Sequence, residues 1–95
     1  MEFEWDEAKN QANQGKHGLS FKEAALVFKK PVLTRVDRRA DYGEVRHISI
    51  GTLDGQIAVV VVHTDRAEVI RIISARLANR KERRAYHEYC QKIAR

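Results

Sequence analysis

Residues 44–64 read EVRHISIGTLDGQIAVVVVHT, and how this stretch folds decides the architecture. Two apolar-rich segments, 44–53 and 56–64, flank Asp54-Gly55, a dipeptide that accepts the positive φ of a two-residue hairpin turn. On the first segment Arg46, Ile48 and Ile50 share one face of a strand, and Val45, His47 and Ser49 the other. Glu44 points the same way as Arg46. The second segment carries Val59 to Val62 without polar alternation, which predicts a central strand covered on both faces. His63 ends that strand.

Working outward, 68–74 (EVIRIIS) predicts a further strand. Ile70, Ile72 and Ser74 fall on one face, Val69, Arg71 and Ile73 on the other, and Arg76 emerges just past its end. Asn79 then caps a last helix, with Glu82 at the capping-box position and Tyr86, Tyr89 and Ile93 as its buried stripe. Upstream, 32–36 is strand-like. SFKEAALVFKKP (20–31) predicts one helix, with a Ser20/Glu23 capping box, a stripe of Phe21, Ala24, Ala25 and Phe28, and Pro31 as its stop. FEWD (3–6) predicts a first strand. Asp6 caps a helix to about Asn13, closed by GKHG (15–18). The expected fold class is α+β, in one domain over 1–95. Two N-terminal helices pack on a curved, mainly antiparallel sheet, and the C-terminal helix sits on its other face.

Composition narrows the function. The longest apolar run, IAVVVV, is far short of the ~20 residues that span a bilayer, and the acidic start MEFEWDEAKN lacks the pattern of a secretory signal. A soluble, cytoplasmic protein that engages no membrane is expected. One cysteine, Cys90, excludes an internal disulfide. No CxxC, HExxH or HxH spacing occurs, and the nearest pair, His87 with Cys90, has no further local ligand, so no metal is expected. No phosphate-binding glycine loop or Gly-framed serine is present, so no cofactor is expected either.

Charge is segregated. Residues 1–65 hold nine Lys/Arg against ten Asp/Glu; residues 66–95 hold nine against three, so the last third supplies the whole net charge of +5. A basic surface of this kind suits a polyanion. Arg71, Arg76, Arg80, Lys81 and Arg83 lie where a strand hands over to a helix. Cations at a helix N-terminus oppose its dipole, and a docked phosphate would relieve that mismatch. Pairing of Arg71 or Arg76 with Glu44 or Glu68 is the ordinary alternative. Lys16 and His17, between two glycines, are expected in a loop. There they serve either in proton transfer and phosphate holding or as cations beside the last carbonyls of a helix. Metal-free cleavage of RNA fits such a surface, because the 2′-hydroxyl is an internal nucleophile and arginines stabilise the phosphorane.

FEWDEAKNQANQGKHGLSF (3–21), EVR (44–46), RIISAR (71–76) and ERRAY (82–86) together resemble the BrnT toxin family over nearly the whole chain. The resemblance implies a fold similar to the RelE and ParE toxins and a ribonucleolytic toxin of a type II toxin–antitoxin system that arrests translation. It also implies a BrnA-type ribbon-helix-helix antitoxin, in complexes with two copies of each protein that bind operator DNA through the antitoxin. By motif, the positions of interest are Trp5, Lys9, Asn13, Lys16, His17, Glu44, Arg46, Ser74, Arg76, Glu82 and Tyr86. His17, Glu44, Arg46, Arg76 and Tyr86 are the expected catalytic set; Lys16, Arg71, Arg80, Lys81 and Arg83 are the expected RNA-binding set. A non-catalytic toxin that occupies a ribosome or gyrase site is the alternative.

Overall fold

A computed structural model describes residues 1–94. Five strands form one sheet: β1 (Glu2–Trp5), β2 (Leu33–Val36), β3 (His47–Leu53), β4 (Ile57–Arg66) and β5 (Val69–Leu77), in the order β1-β5-β4-β3-β2. Three α-helices accompany it: α1 (Glu7–His17), α2 (Phe21–Ala25), which runs into a 3-10 turn over Leu26–Lys29, and α3 (Arg80–Ile93).

The hairpin forms where its dipeptide puts it. Asp54 and Gly55 take φ of 51° and 73°, and the Gln56 amide donates to the Leu53 carbonyl at 3.0 Å. Leu53 faces Ile57 across the ladder, so Gln56 is left out along with the turn. β4 is central, and Ala58 to Thr64 are all buried. Its side chains feed two cores. Val59 and Val61 join Leu19, Phe21, Ala24, Val27, Ile70 and Ile72 beneath α1 and α2. Val60 and Val62 join Ile48, Ile50, Ala78 and Tyr86 on the α3 side.

Several expectations need correction. β3 starts at His47, so Glu44, Val45 and Arg46 lie in the preceding loop rather than on the strand. The second helix is α for only five residues, which bury Phe21 and Ala24; its tighter 3-10 continuation buries Val27 and leaves Phe28 half-buried. α1 runs on through Gly15, Lys16 and His17 to a left-handed Gly18, so Lys16 and His17 occupy a helical turn and not a loop. β1 pairs with β5 in parallel; the other three pairings are antiparallel.

The most consequential correction concerns β5, which continues to Leu77. Val62 faces Ser74 but His63 faces Ile72, which leaves Ile73 as an extra residue in a bulge. Beyond it the alternation is inverted. Ala75, not Ser74, joins Ile70 and Ile72 in the helix-side core, and Arg76, opposite Val60, points to the α3 side.

Candidate nucleic-acid interface

The bulge thus places Arg76 within the strand on the face that α3 only partly covers. Asn13 of α1 fixes the backbone just before it, and Asn10 fixes the start of α2. Asn13 Nδ2 donates to the carbonyls of Ala75 (2.8 Å) and Leu19 (2.9 Å), and its Oδ1 accepts from the Ala75 amide at 3.2 Å. Asn10 accepts from the Phe21 amide at 2.9 Å and donates to Glu7. Both asparagines are buried.

Arg76 donates through both terminal nitrogens to Glu82, 2.8 Å each. The Glu82 carboxylate also accepts from the Asn79 amide at 2.9 Å, while Asn79 caps the Glu82 amide, so one residue closes the cap and holds the arginine. The Arg76 guanidinium beside Glu82 holds that carboxyl below its usual range, and burial opposes the shift. The expected clash between basic residues and the helix dipole is therefore already eased by Glu82 in the first turn.

A groove of about 500 Å³ runs beside this pair. Leu33, Ile48 and Ile50 form its apolar floor; Arg35, Asn79, Lys81, Glu82 and Ala85 form the walls. Arg35 lies opposite Ile48 on the edge strand β2, and its charge reaches Glu82. Arg39 acts on Arg76 in the same way. Arg39 is itself held by buried Asp37, at 2.8 and 2.7 Å, and those bonds keep the Asp37 carboxyl well below the usual range. Arg35 and Arg39 come from a region that nearly balances in charge, so local charge counting passed over them.

The other expected residues are dispersed. Arg71 pairs with Glu4 at 3.3 Å near β1. Arg80 is exposed at the start of α3. Arg83 donates to the Ala78 carbonyl at 2.9 Å and lines a second pocket, of about 420 Å³, with Lys30, Thr52, Tyr86, His87 and Cys90. Tyr86 is buried, with its hydroxyl donating to the Pro31 carbonyl at 2.7 Å, and burial raises its pKa. Glu44 pairs with Arg66 at 3.1 Å. The Arg46 guanidinium lies 4.0 Å over the Tyr42 ring. Lys16 and His17 belong to α1, across the sheet from the groove.

The helix side holds a different cluster. Ser49 Oγ sits 2.8 Å from Thr34 Oγ1 and 2.7 Å from His63 Nε2, and His63 Nδ1 sits 2.7 Å from Asp65 Oδ1. Burial lowers the His63 pKa, and Asp65 pulls it the other way. His47 lies beside His63, with ring centres 5.6 Å apart. Local spacing offered only His87 with Cys90, without further ligands, and led to the expectation of no metal. Strand pairing instead gathers His47, His63 and Asp65, whose ligand atoms lie within 4.8 Å of one another.

No curated protein sequence matches this chain. The family model described as "Ribonuclease toxin, BrnT, of type II toxin-antitoxin system" matches residues 5–82. The crystal structure of the Brucella abortus ribonuclease toxin, BrnT, is similar, with a TM-score of 0.62 and 31% identity over 84% of this chain and 99% of that one. The α+β fold of this chain, a five-stranded sheet with three helices, matches that structure. The chain belongs to the BrnT family of ribonuclease toxins from type II toxin–antitoxin systems.

Proposed function

We propose that this toxin is a metal-independent endoribonuclease on a RelE-like fold, cleaving RNA in the groove between the sheet and α3 and so arresting translation. The observation that carries the reading is the two-pronged bond of Arg76 to Glu82, a carboxylate that lines that groove. A phosphodiester entering between Arg35 and Lys81 competes with Glu82 for the Arg76 guanidinium, whose fork fits a phosphate as well as a carboxylate. Once Arg76 turns to the phosphate, Glu82 loses the partner that depresses its pKa and becomes a better proton acceptor. It then takes the 2′-hydroxyl proton as that oxygen attacks phosphorus. Arg76 stabilises the phosphorane charge. Lys81, on the groove wall, protonates the departing 5′-oxygen, leaving a cyclic phosphate end. Arg80 and Arg83 hold flanking phosphates. Glu44, Arg46, His17 and Tyr86 have no step in this scheme, given their places in the fold.

The antitoxin we propose is a BrnA-type ribbon-helix-helix protein, two copies with two toxins, that covers the groove with acidic groups and binds operator DNA itself. The test incubates purified toxin with naked RNA in EDTA. Wild type is expected to cleave to cyclic phosphate ends, and folded Arg76→Ala to lose cleavage and growth arrest together. Undiminished cleavage by folded Arg76→Ala would sink the mechanism. The existing neutralisation of Arg76 by Glu82 also suits a toxin that only binds, and intact RNA with retained growth arrest would establish that reading instead.

A further inference from the structure

We propose that His47, His63 and Asp65 form a site for a zinc-class divalent transition ion, separate from the RNA groove. The residues come together through strand pairing. His47 faces His63 directly across β3 and β4, and Asp65 follows two residues on, on the same side of β4. Their ligand atoms already lie within 4.8 Å of one another. The ring centres of the two histidines are 5.6 Å apart. Two imidazoles sharing a tetrahedral ion, with bonds of ~2.0–2.1 Å, hold their ring centres roughly 5 Å apart, near the observed spacing, and the two rings, 26° from parallel, turn for their lone pairs to meet at the ion.

The polar bookkeeping around the cluster points the same way. His47 Nδ1 is buried and meets no hydrogen-bond partner among the described residues. An ion between the rings gives this nitrogen one. His63 is held from behind by Ser49 Oγ at 2.7 Å, itself backed by Thr34 at 2.8 Å. Such an outer hydrogen bond fixes a ligating histidine's ring and tautomer. Without an ion, the imidazole proton of His63 sits on Nδ1, toward Asp65, and Ser49 donates to Nε2. With an ion, that proton resides on Nε2 and is donated to Ser49, whose hydroxyl turns to Thr34, and the Nδ1 lone pair binds the metal. The net proton count on the imidazole is unchanged. The Asp65 side chain is 47% exposed, which leaves a path from solvent.

Two imidazoles and one carboxylate favour zinc, cobalt or nickel over the all-oxygen preference of magnesium and calcium. The cluster lies on the helix side of the sheet, where Phe28 packs edge-on against His63 at 5.1 Å. Arg76 and Glu82 lie on the other side, so the ion takes no part in the proposed cleavage.

The experiment titrates EDTA-stripped, dialysed protein with zinc chloride by calorimetry, with magnesium chloride as the control. A cobalt titration read by visible absorption reports the ligand type. One zinc per chain is expected, no heat from magnesium, and a tetrahedral cobalt spectrum without a thiolate charge-transfer band. His47→Ala and Asp65→Asn should each weaken zinc binding at least tenfold, and the two variants guard against either failing to fold. No saturable zinc binding by wild type would overturn the proposal. So would a thiolate band or binding lost only in Cys90→Ser, which would place the ion at His87 and Cys90. Binding is read on the protein alone, so this result is independent of whether the toxin cleaves RNA.

Discussion

Asn13 does at one position what a neighbouring strand would otherwise do. β1 pairs with β5 only as far as Ile72, and farther on the Asn13 amide both donates to and accepts from Ala75. The bonds end one residue before Arg76, so a motif residue that could be taken for a catalytic amide is a brace for the arginine beside it. Asn13→Ala strips partners from buried backbone groups and is expected to cost roughly 2–3 kcal/mol, read as a lower urea midpoint. Glu82 carries a pH signature. Its folded pKa is depressed from the ordinary 4.5, chiefly by Arg76, so the unfolded chain takes up the proton first as pH falls. The stability it contributes is whole above pH 4.5 and is lost as pH drops through the folded value. Urea midpoints of Glu82→Gln should therefore lie below wild type at neutral pH and converge with it in acid. Parallel curves would break the assignment of that dependence to Glu82.

At the scale of elements, the close approach of the 3-10 turn to β3 and the bulge in β5 shape both sides of the sheet. A Cβ added at Gly51 would meet Val27 Cβ at 2.8 Å and Val32 Cγ1 at 3.0 Å, so the turn rests directly on a glycine. Gly51→Ala is expected to destabilise by roughly 1–3 kcal/mol through forced displacement, measurable by thermal melting. The helix reading of residues 20–31 located the element and its cap correctly, and the Ser20/Glu23 box is present. It missed the tightening over Leu26–Lys29, which sets Val27 against Gly51 of β3, a contact with a distant segment that local propensity does not encode. The bulge was equally hidden: RIISAR fits unbroken alternation, and only the pairing of Val62 with Ser74 and of His63 with Ile72 shows the slip.

For the whole molecule, charge and topology act together. The excess charge of the last third was visible in the chain, but the groove also draws Arg35 from β2, at the opposite edge of the sheet from β1. Among the described residues, no helix is long and apolar enough to cross a membrane. If the groove holds single-stranded RNA, each cation touching phosphate contributes about 0.7 to the slope of log affinity against log salt. Lys81→Ala and Arg35→Ala should each lower the slope by about that amount in anisotropy titrations across ionic strength. Lys22→Ala, at an exposed position of α2 across the sheet, should leave it unchanged. Equal losses from all three would mean diffuse attraction and no groove.

By itself the sequence determined the elements and their caps, the hairpin at Asp54-Gly55, the central strand Val59 to Val62, and the family. These follow from periodicity, turn chemistry and local motifs, which act over a few residues. Tertiary structure alone decided which face Arg76 takes, that Glu82 holds it, that Arg35 lines the groove beside Glu82, and that His47, His63 and Asp65 meet. Each of those depends on the register between strands, and a register is set by the packing of distant segments.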